Sequence, residues 1–479
     1  MYSVAKNTSF FTVASVLQRM ISFVYFAIIA RIIGVENTGM YFFAIAFTAI
    51  FTVVADFGLG AVLTREISRD QDNAVDYVST VLSTKIFFCT CTYLAIIIIA
   101  NLLGYNQLLK TLIYLSGITM LFDNLHNVFY AVFRANKNLK YESFGLVVSQ
   151  SLTLLIGTVA LLKNMPLYYL ILAYTIPSAI NAVYSCLMVR IKLRLRISLK
   201  LNYNILKKFL IIALPFAIAG IVARLYSYSD SLIMSKMLDE KDLGLWGLSY
   251  KFATALHFIP IALSTSVFPV FSSLYINEKG KISELFEKSY KYIFIVAFPA
   301  IGGIFVLANP VIQALYGDNY TGSILPLQIL TLGLVFIFLT FINGALLNAV
   351  GKQRIQTTIL TFSLALSVFL NLILIPRLGI VGASLSSLIS SIFFVKCGTY
   401  FCGKFIKINY FRLFKYLNQT IWPAIVMAVM ISYLAEYKIH FVFLIPIGAV
   451  IYFSGVILLK AIDIKNIKQA LSTLFKKEN

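Results

Sequence analysis

The sequence predicts an all-α protein that crosses a membrane about fourteen times. Of its 479 residues, 60% are hydrophobic and only 12% are charged, and the mean hydropathy is +0.87. Soluble domains carry about twice that share of charge, so almost the whole chain is expected to lie in lipid. Apolar runs of about 20 residues, long enough to cross a hydrocarbon core of about 30 Å, recur along the chain. They begin near Thr8, Met40, Tyr77, Thr111, Glu142, Pro166, Phe209, Leu245, Tyr290, Ser323, Ile355, Ile380, Gln419 and Phe441.

The positive charge follows the expected membrane topology. The chain carries 40 Lys and Arg against 19 Asp and Glu, a formal net charge of +21. In a soluble protein this excess would suggest nucleic acid. Here 28 of the 40 cations lie at the two termini and the even-numbered span ends, and only five lie at the opposite ends. Because cytoplasmic loops are enriched in Lys and Arg, we expect an inner (plasma) membrane protein with both termini in the cytoplasm and no nucleic-acid partner.

A basic linker divides the chain into two halves. The segment 190–208 holds seven Lys and Arg residues, a pattern typical of a cytoplasmic stretch lying on anionic lipid. It separates a six-helix bundle over 1–189 from a second six-helix bundle over 209–402. Two additional helices and a basic cytoplasmic tail follow over 403–479. Since six spans is an even number, the two bundles share one orientation, and we expect a pseudo-two-fold axis along the membrane normal.

Residues of the same type recur 205 positions apart in the two halves, which indicates that the halves arose by duplication. We call this spacing the 205-residue register. Arg19 in the first span and Arg224 in the seventh are 205 positions apart, and each extends a stripe of small or hydroxyl-bearing residues at helical spacing. Each arginine is followed twelve residues later by a second cation and twenty residues later by a glycine. These residues are Arg31 and Gly39 in the first half, and Lys236 and Gly244 in the second. The sequence thus predicts one cation pair in each half.

Three stretches resemble a known family. They are the opening NTSFFTVASVLQRMISFVYFAIIARIIGVENTGMYFFAIAF, the segment ADFGLGAVLTREIS at 55–68 and the GKQR turn at 351–354. With them, nearly the whole chain resembles the polysaccharide or O-antigen flippases of the multidrug/oligosaccharidyl-lipid/polysaccharide exporter superfamily. The resemblance implies two helix bundles in a V around a central cavity. It also implies translocation of an undecaprenyl-diphosphate-linked oligosaccharide from the cytoplasmic to the outer leaflet.

Basic residues inside the spans fit such a substrate. An arginine in mid-membrane costs between roughly 2.5 and 10 kcal/mol or more, so it normally faces water or a partner. Arg19 lies about 16 Å into its span, and Arg224 is equally deep. A guanidinium stays ionised and donates two parallel hydrogen bonds, which suits a diphosphate. We therefore expect Arg19 and Arg224 to bind the substrate, with Lys251, Arg31 and Lys236 as further substrate-binding candidates.

Other roles for these cations stay open. Each mid-span arginine could instead form a structural ion pair, with Asp56 or Asp230 as its partner, because buried charges are usually paired. Arg31 and Lys236 lie at helix ends, where long basic side chains commonly reach the membrane interface.

Two carboxylates inside the spans are candidates for ion coupling. Asp56 and Asp123 are expensive in lipid and could bind H+ or Na+. Alternatively, Asp56 pairs near the cytoplasmic end of its span and neutralises Arg65 or Arg69. His126, beside Asp123, is either a proton partner or a packing residue.

No other cofactor and no metal site is expected. The five cysteines lack metal-ligand spacing, and the sequence contains no GxxxxGK[ST] phosphate-binding loop.

These observations predict a lipid-linked oligosaccharide flippase that works by alternating access in surface polysaccharide assembly, and not an enzyme. Its expected partners are polyprenyl-diphosphate oligosaccharide, membrane lipid, and polysaccharide polymerase and chain-length proteins. One alternative is a cation-coupled multidrug antiporter of the same superfamily, for which a basic cavity is unfavourable. Another is a membrane-embedded polysaccharide polymerase or ligase, which usually needs a larger external loop than this chain provides.

Overall fold

The computed structural model describes residues 2–195, 197–437 and 439–462, and it leaves the side chains of 2–9, 277 and 279 undescribed. Within these residues all regular structure is helical, which confirms the predicted all-α class. Twelve helical stretches of this part are long and apolar enough to cross a membrane. Two of these stretches each contain two helices joined at a kink, one at Gly34 (φ 81°) and one at Gly379 (φ 56°). Counting each half separately gives the fourteen spans that the sequence predicts.

The chain divides into two compact units, N-terminal up to Leu248 and C-terminal from Ser249. The N-terminal unit is built from the following helices: α1 (Tyr2–Asp56), α2 (Leu59–Arg69), α3 (Ala74–Leu102), α4 (Gln107–Ala135), α5 (Lys140–Leu162), α6 (Tyr168–Lys192), α7 (Tyr203–Met237) and the first half of α8 (Glu240–Ala255). The predicted linker at 190–208 thus lies inside this unit, since α7 packs against α1, α2 and α3. The boundaries of the two six-helix bundles stay a prediction.

The C-terminal unit continues from the second half of α8. Its remaining elements are α9 (Phe258–Asn277), α10 (Lys279–Tyr316), a 3-10 helix (Asp318–Ser323), α11 (Ile324–Ala349), α12 (Gln353–Gly403), α13 (Tyr410–Glu436) and α14 (Phe441–Leu458). Its core contains the fully buried Phe271, Phe286, Phe338 and Tyr452. The end of the expected cytoplasmic tail, 463–479, lies outside the described residues.

Local sequence signals set several helix ends in the N-terminal unit. Asn106 begins α4, because its side-chain oxygen accepts a hydrogen bond from the Leu109 N–H at 2.8 Å. Asn202 begins α7 in the same way, accepting from the Asn204 N–H at 3.0 Å. Helix α1 ends at Asp56, where the left-handed Gly58 turns the chain into α2. These turns fix where the charged residues at the helix ends lie.

Gly39 and Gly244, which share the 205-residue register, lie against each other. A Cβ on Gly39 would lie 1.8 Å from the carbonyl oxygen of Glu240, and a Cβ on Gly244 would lie 2.1 Å from that of Val35. Val35 and Glu240 are also 205 positions apart. This reciprocal contact is what a local two-fold axis between α1 and α8 produces, and only glycine permits such a close backbone approach.

Candidate functional site

Arg19 and Arg224 occupy equivalent depths on α1 and α7. Arg19 precedes the kink at Gly34 by about 22 Å, and Arg224 precedes the end of α7 at Met237 by about 20 Å, at 1.5 Å per residue. Both side chains are exposed, and among the described residues neither forms an ion pair or a hydrogen bond. The alternative of structural pairs between Arg19 and Asp56 or Arg224 and Asp230 is therefore wrong. An unpaired guanidinium at this depth is costly in lipid, which favours a position facing a water-filled space.

Arg224 lies between two points at which α1 meets the segment from α7 to α8. On one side, a Cβ on Gly220 would lie 2.7 Å from Cγ1 of Val53. On the other side lies the contact between Gly39 and Gly244. Arg224 lies on the same face of α7 as Gly220, yet its side chain is exposed. The close contact between α1 and α7 at Gly220 is therefore interrupted at Arg224, before the contact of α1 with α8 at Gly244.

The remaining basic candidates lie in different environments. Lys236 is exposed at the end of α7, where its ammonium group donates to the Leu103 carbonyl oxygen and lies 3.9 Å from the centroid of the Tyr105 ring. Arg31 is exposed near the kink of α1 and interacts with its neighbours. Lys251 belongs to the C-terminal unit, where it is half-buried on α8 and also interacts with neighbours. Substrate contact by these three residues stays a prediction.

Asp56 is paired with a lysine that the sequence did not assign to it. Lys85 Nζ of α3 lies 2.5 Å from Asp56 Oδ1 and 3.5 Å from the Asn124 carbonyl oxygen. The Lys85 side chain is completely buried, whereas one third of the Asp56 side chain is exposed. A buried ammonium group needs a counter-charge. Asp56 therefore carries its own cation, which removes the main reason to regard it as an ion-coupling site.

The expectation that Asp56 neutralises Arg65 or Arg69 is wrong. The buried Glu66 of α2 lies 3.6 Å from Arg65 Nε and 3.9 Å from Arg69, and Lys208 Nζ of α7 approaches it to 2.7 Å. The turn at Phe57 and Gly58 separates α2 from the end of α1, so these arginines belong to a separate cluster.

Asp123 has different neighbours. It lies on α4 with its side chain 46% exposed, and the Ser178 hydroxyl of α6 donates a hydrogen bond to its Oδ1. Nδ1 of the buried His126 lies 3.8 Å from the same oxygen. Within the described chain, no lysine or arginine forms an ion pair with Asp123. Of the two coupling candidates, this one keeps an unneutralised carboxylate.

Ion pairs at the helix ends were not found by sequence reasoning. Glu142 of α5 is buried and receives hydrogen bonds from the Arg134 guanidinium of α4, including one from Nε to Oε2 at 2.9 Å. In the C-terminal unit, the buried Glu287 lies 2.8 Å from Arg412 NH1. The seven residues between Arg134 and Glu142 span a turn and the start of a new helix, so the spacing alone gave no sign of the pair.

The C-terminal unit also contains an apolar cavity of about 400 Å³. Helices α8, α10, α11, α13 and α14 form its wall, and the residues that line it are all apolar, among them Pro299, Gly303, Met427, Gly448 and Phe453. Such a cavity fits hydrocarbon and offers nothing to an anion.

A polytopic helical protein whose spans hold two arginines without acidic partners and a carboxylate without a lysine or arginine partner, among the described residues, has the features of a membrane transporter. Residues 4–275 match the family model described as polysaccharide biosynthesis protein, and residues 250–450 match the model of the lipid II flippase MurJ. Since the first match covers more than half of the chain, the protein belongs to the polysaccharide biosynthesis protein family. The predicted family is thereby confirmed.

Relatives and solved structures agree with this assignment. The chain is 25% identical over 404 residues to the capsular polysaccharide biosynthesis protein CapF of Staphylococcus aureus, covering 80% of this chain and 96% of CapF. It is 22% identical to a candidate O-antigen transporter of Shigella flexneri, over 80% and 94% of the two chains. A structure of MurJ in an inward closed conformation is similar with a TM-score of 0.78 and 17% identity, over 95% and 99% of the chains. The fold is therefore that of MurJ.

Proposed function

We propose that this protein flips a polyprenyl-diphosphate-linked oligosaccharide from the cytoplasmic to the outer leaflet of the inner membrane by alternating access, for surface polysaccharide assembly. The observation that carries the proposal is the pair of unpaired guanidinium groups at Arg19 and Arg224 in a member of the polysaccharide biosynthesis protein family. Membership supplies the class of substrate, and the two arginines supply a place for its charge.

The chemistry of the arginines fits a diphosphate. A guanidinium group can donate two parallel hydrogen bonds to phosphate oxygens. Such charge-assisted bonds are strong where water is scarce. Neither Arg19 nor Arg224 has an acidic partner among the described residues, so an arriving anion displaces only water. We assign the hydrocarbon part of the substrate to bilayer lipid and to apolar surfaces such as the cavity of the C-terminal unit.

The direction of transport depends on membrane topology, for which we propose cytoplasmic termini. Asn319, in the 3-10 helix between α10 and α11, and Asn202, before α7, are both exposed. On the charge pattern, the first lies outside and the second inside. A cysteine in place of Asn319 should react with a membrane-impermeant thiol reagent in intact cells, and one in place of Asn202 should react only after the membrane is opened. Labelling in the reverse order would invert the proposed direction.

The membrane potential favours this direction. Moving negative charge outward across an inside-negative membrane is favoured by roughly 2.3 kcal/mol per charge per 100 mV. This energy is available in full if Arg19 and Arg224 stay in place while the anion moves. If the arginines travel with the substrate, they cancel its charge, and a coupling ion must supply the energy.

A reconstituted system tests the proposal against a multidrug antiporter. Proteoliposomes containing the protein should flip a fluorescent polyprenyl-diphosphate oligosaccharide and should leave a cationic dye such as ethidium untransported. Transport of ethidium without flipping of the lipid would overturn the proposal. A polymerase or ligase would instead lengthen the sugar chain, which mass spectrometry of the recovered lipid detects.

A further inference from the structure

The α4–α6 contact in the N-terminal unit is lined by polar side chains. Thr119 and Thr175 lie 2.7 Å apart through their hydroxyl oxygens, the Ser178 hydroxyl donates to Asp123, and the Tyr130 hydroxyl donates to Asn181 Oδ1 at 2.7 Å. Asp123 is the carboxylate among these groups. Since its side chain is 46% exposed, it reaches both this polar contact and an accessible space.

His126 lies one turn further along α4 and points toward this carboxylate. The residue is only 8% exposed, its Nδ1 lies 3.8 Å from Asp123 Oδ1, and Nδ1 has no hydrogen-bond partner. A buried polar atom without a partner is uncommon in folded proteins. A movement of about 1 Å would bring the two atoms to hydrogen-bond distance. A single proton could then be shared between the imidazole and the carboxylate.

Among the charged groups of the described residues around His126, Asp123 is the neighbour that lysine or arginine does not neutralise. Lys85 of α3 and Arg134 of α4 both interact electrostatically with the imidazole. Each already has a carboxylate of its own, Asp56 of α1 for Lys85 and Glu142 of α5 for Arg134.

The other two helices packed on α4 add no charge at this point. Helix α6 presents the neutral hydroxyl of Ser178 to Asp123. Helix α2 contacts α4 through the Thr64 hydroxyl, which donates to the Ala131 carbonyl oxygen at 3.3 Å, and its Glu66 is neutralised by Lys208.

We propose that Asp123 and His126 form a proton-binding site, and that the proton taken up there from the accessible side is the coupling ion of transport. Coupling rests on the proposed flippase function, whereas proton binding does not. The donor set favours a proton over a sodium ion, because hard cations take about six oxygen ligands, whereas this site offers one carboxylate, one hydroxyl and an imidazole nitrogen. Asp56, the other carboxylate, differs from Asp123 because Lys85 already supplies its counter-charge.

The binding step can be tested without any transport substrate. The chain has three histidines, so nuclear magnetic resonance of the full-length protein with 13C-labelled histidine resolves His126, which a His126→Gln variant assigns. At the pH where half of native His126 is imidazolium, Asp123→Asn should reduce the imidazolium fraction about fivefold or more, since it removes the nearby negative charge. His440, at the start of α14, is the internal control. An unchanged His126 titration in Asp123→Asn would overturn the proposal.

The coupling step is measured by flipping in proteoliposomes. At zero potential, an inward-directed proton gradient should accelerate the native protein severalfold, and the ratio of rates with and without the gradient should fall to one in Asp123→Asn. Thr119→Val is the matched control, because it breaks the neighbouring hydrogen bond between α4 and α6 and should keep the response to the gradient. If a sodium gradient accelerates flipping and Asp123→Asn abolishes that response, the site takes sodium and the proton proposal is wrong.

Discussion

The arginine at a helix end and the arginines in mid-helix of the N-terminal unit differ in whether they have an acidic partner. Arg134, at the end of α4, donates to a carboxylate that is 1% exposed, whereas Arg19 and Arg224, in the middle of α1 and α7, have no acidic partner within the described chain. Arg412 repeats the first arrangement in the C-terminal unit, with Glu287 as its partner. Arg134 and Arg412, at helix ends, are thus neutralised by buried glutamates, whereas Arg19 and Arg224, whose position is more costly, are not compensated within the described chain.

This difference indicates different roles. A buried glutamate without its arginine destabilises the folded protein, so Arg134 and Arg412 hold helices together. The mid-helix arginines have no acidic partner among the described residues and cost free energy in the membrane, which supports the proposal that they bind the substrate.

The largest expected effect is loss of transport when a mid-helix arginine is removed. Arg19→Ala and Arg224→Ala should each abolish polymer export, because the diphosphate then crosses without its counter-charge. The amount of protein in the membrane should stay at the native level. Lysine at either position should restore export in part, since it keeps the charge but loses the two parallel hydrogen bonds. Export at the native rate in both alanine variants would remove the distinction between the two kinds of arginine.

Removing Arg134 should affect the fold. Arg134→Ala leaves the buried Glu142 without a partner, which costs about 3 kcal/mol of unfolding free energy, at the lower end for a broken pair because the Arg134 side chain is 41% exposed. The amount of protein in the membrane and the midpoint of thermal unfolding in detergent should both fall. The double variant Arg134→Gln with Glu142→Gln should recover much of the loss. If Arg134→Ala is as stable as Arg19→Ala, the pair does not hold the fold.

The membrane-spanning helices were the part of the fold that the sequence predicted most completely, because each is encoded by a continuous run of apolar residues. Fourteen apolar runs specify fourteen spans, because each run must be long enough to cross the hydrocarbon core. Ion-pair partners were not predictable in this way. Lys85 and Asp56 are 29 residues apart on different helices, and only the packing of α1 against α3 brings them together. The depth of Arg19 and Arg224 could be read from the sequence, whereas the lack of an acidic partner for them within the described part of the chain could not.

A substitution at the contact between Gly39 and Gly244 should have a smaller effect than those at the arginines, because it changes packing and no charge. Gly39→Ala would place its Cβ 1.8 Å from the Glu240 carbonyl oxygen, so the backbones must separate, at a cost of about 2 kcal/mol. The midpoint of thermal unfolding should fall, and export should fall with it. Gly280→Ala is the matched control, because no atom lies within 4 Å of the added Cβ. Equal stability of the two variants would show that the contact is not tightly packed.

Binding of a diphosphate by Arg19 and Arg224 can be measured without transport. Binding of geranyl diphosphate, a short soluble analogue, to the purified protein can be measured by isothermal titration calorimetry. A charge-assisted hydrogen bond contributes about 1.5 to 3 kcal/mol, so Arg19→Ala and Arg224→Ala should each weaken binding by roughly 10-fold to 100-fold. Arg412→Lys, which keeps the charge beside Glu287, should bind as the native protein does. Unchanged affinity in both alanine variants would contradict the central claim that the unpaired arginines hold the diphosphate of the substrate.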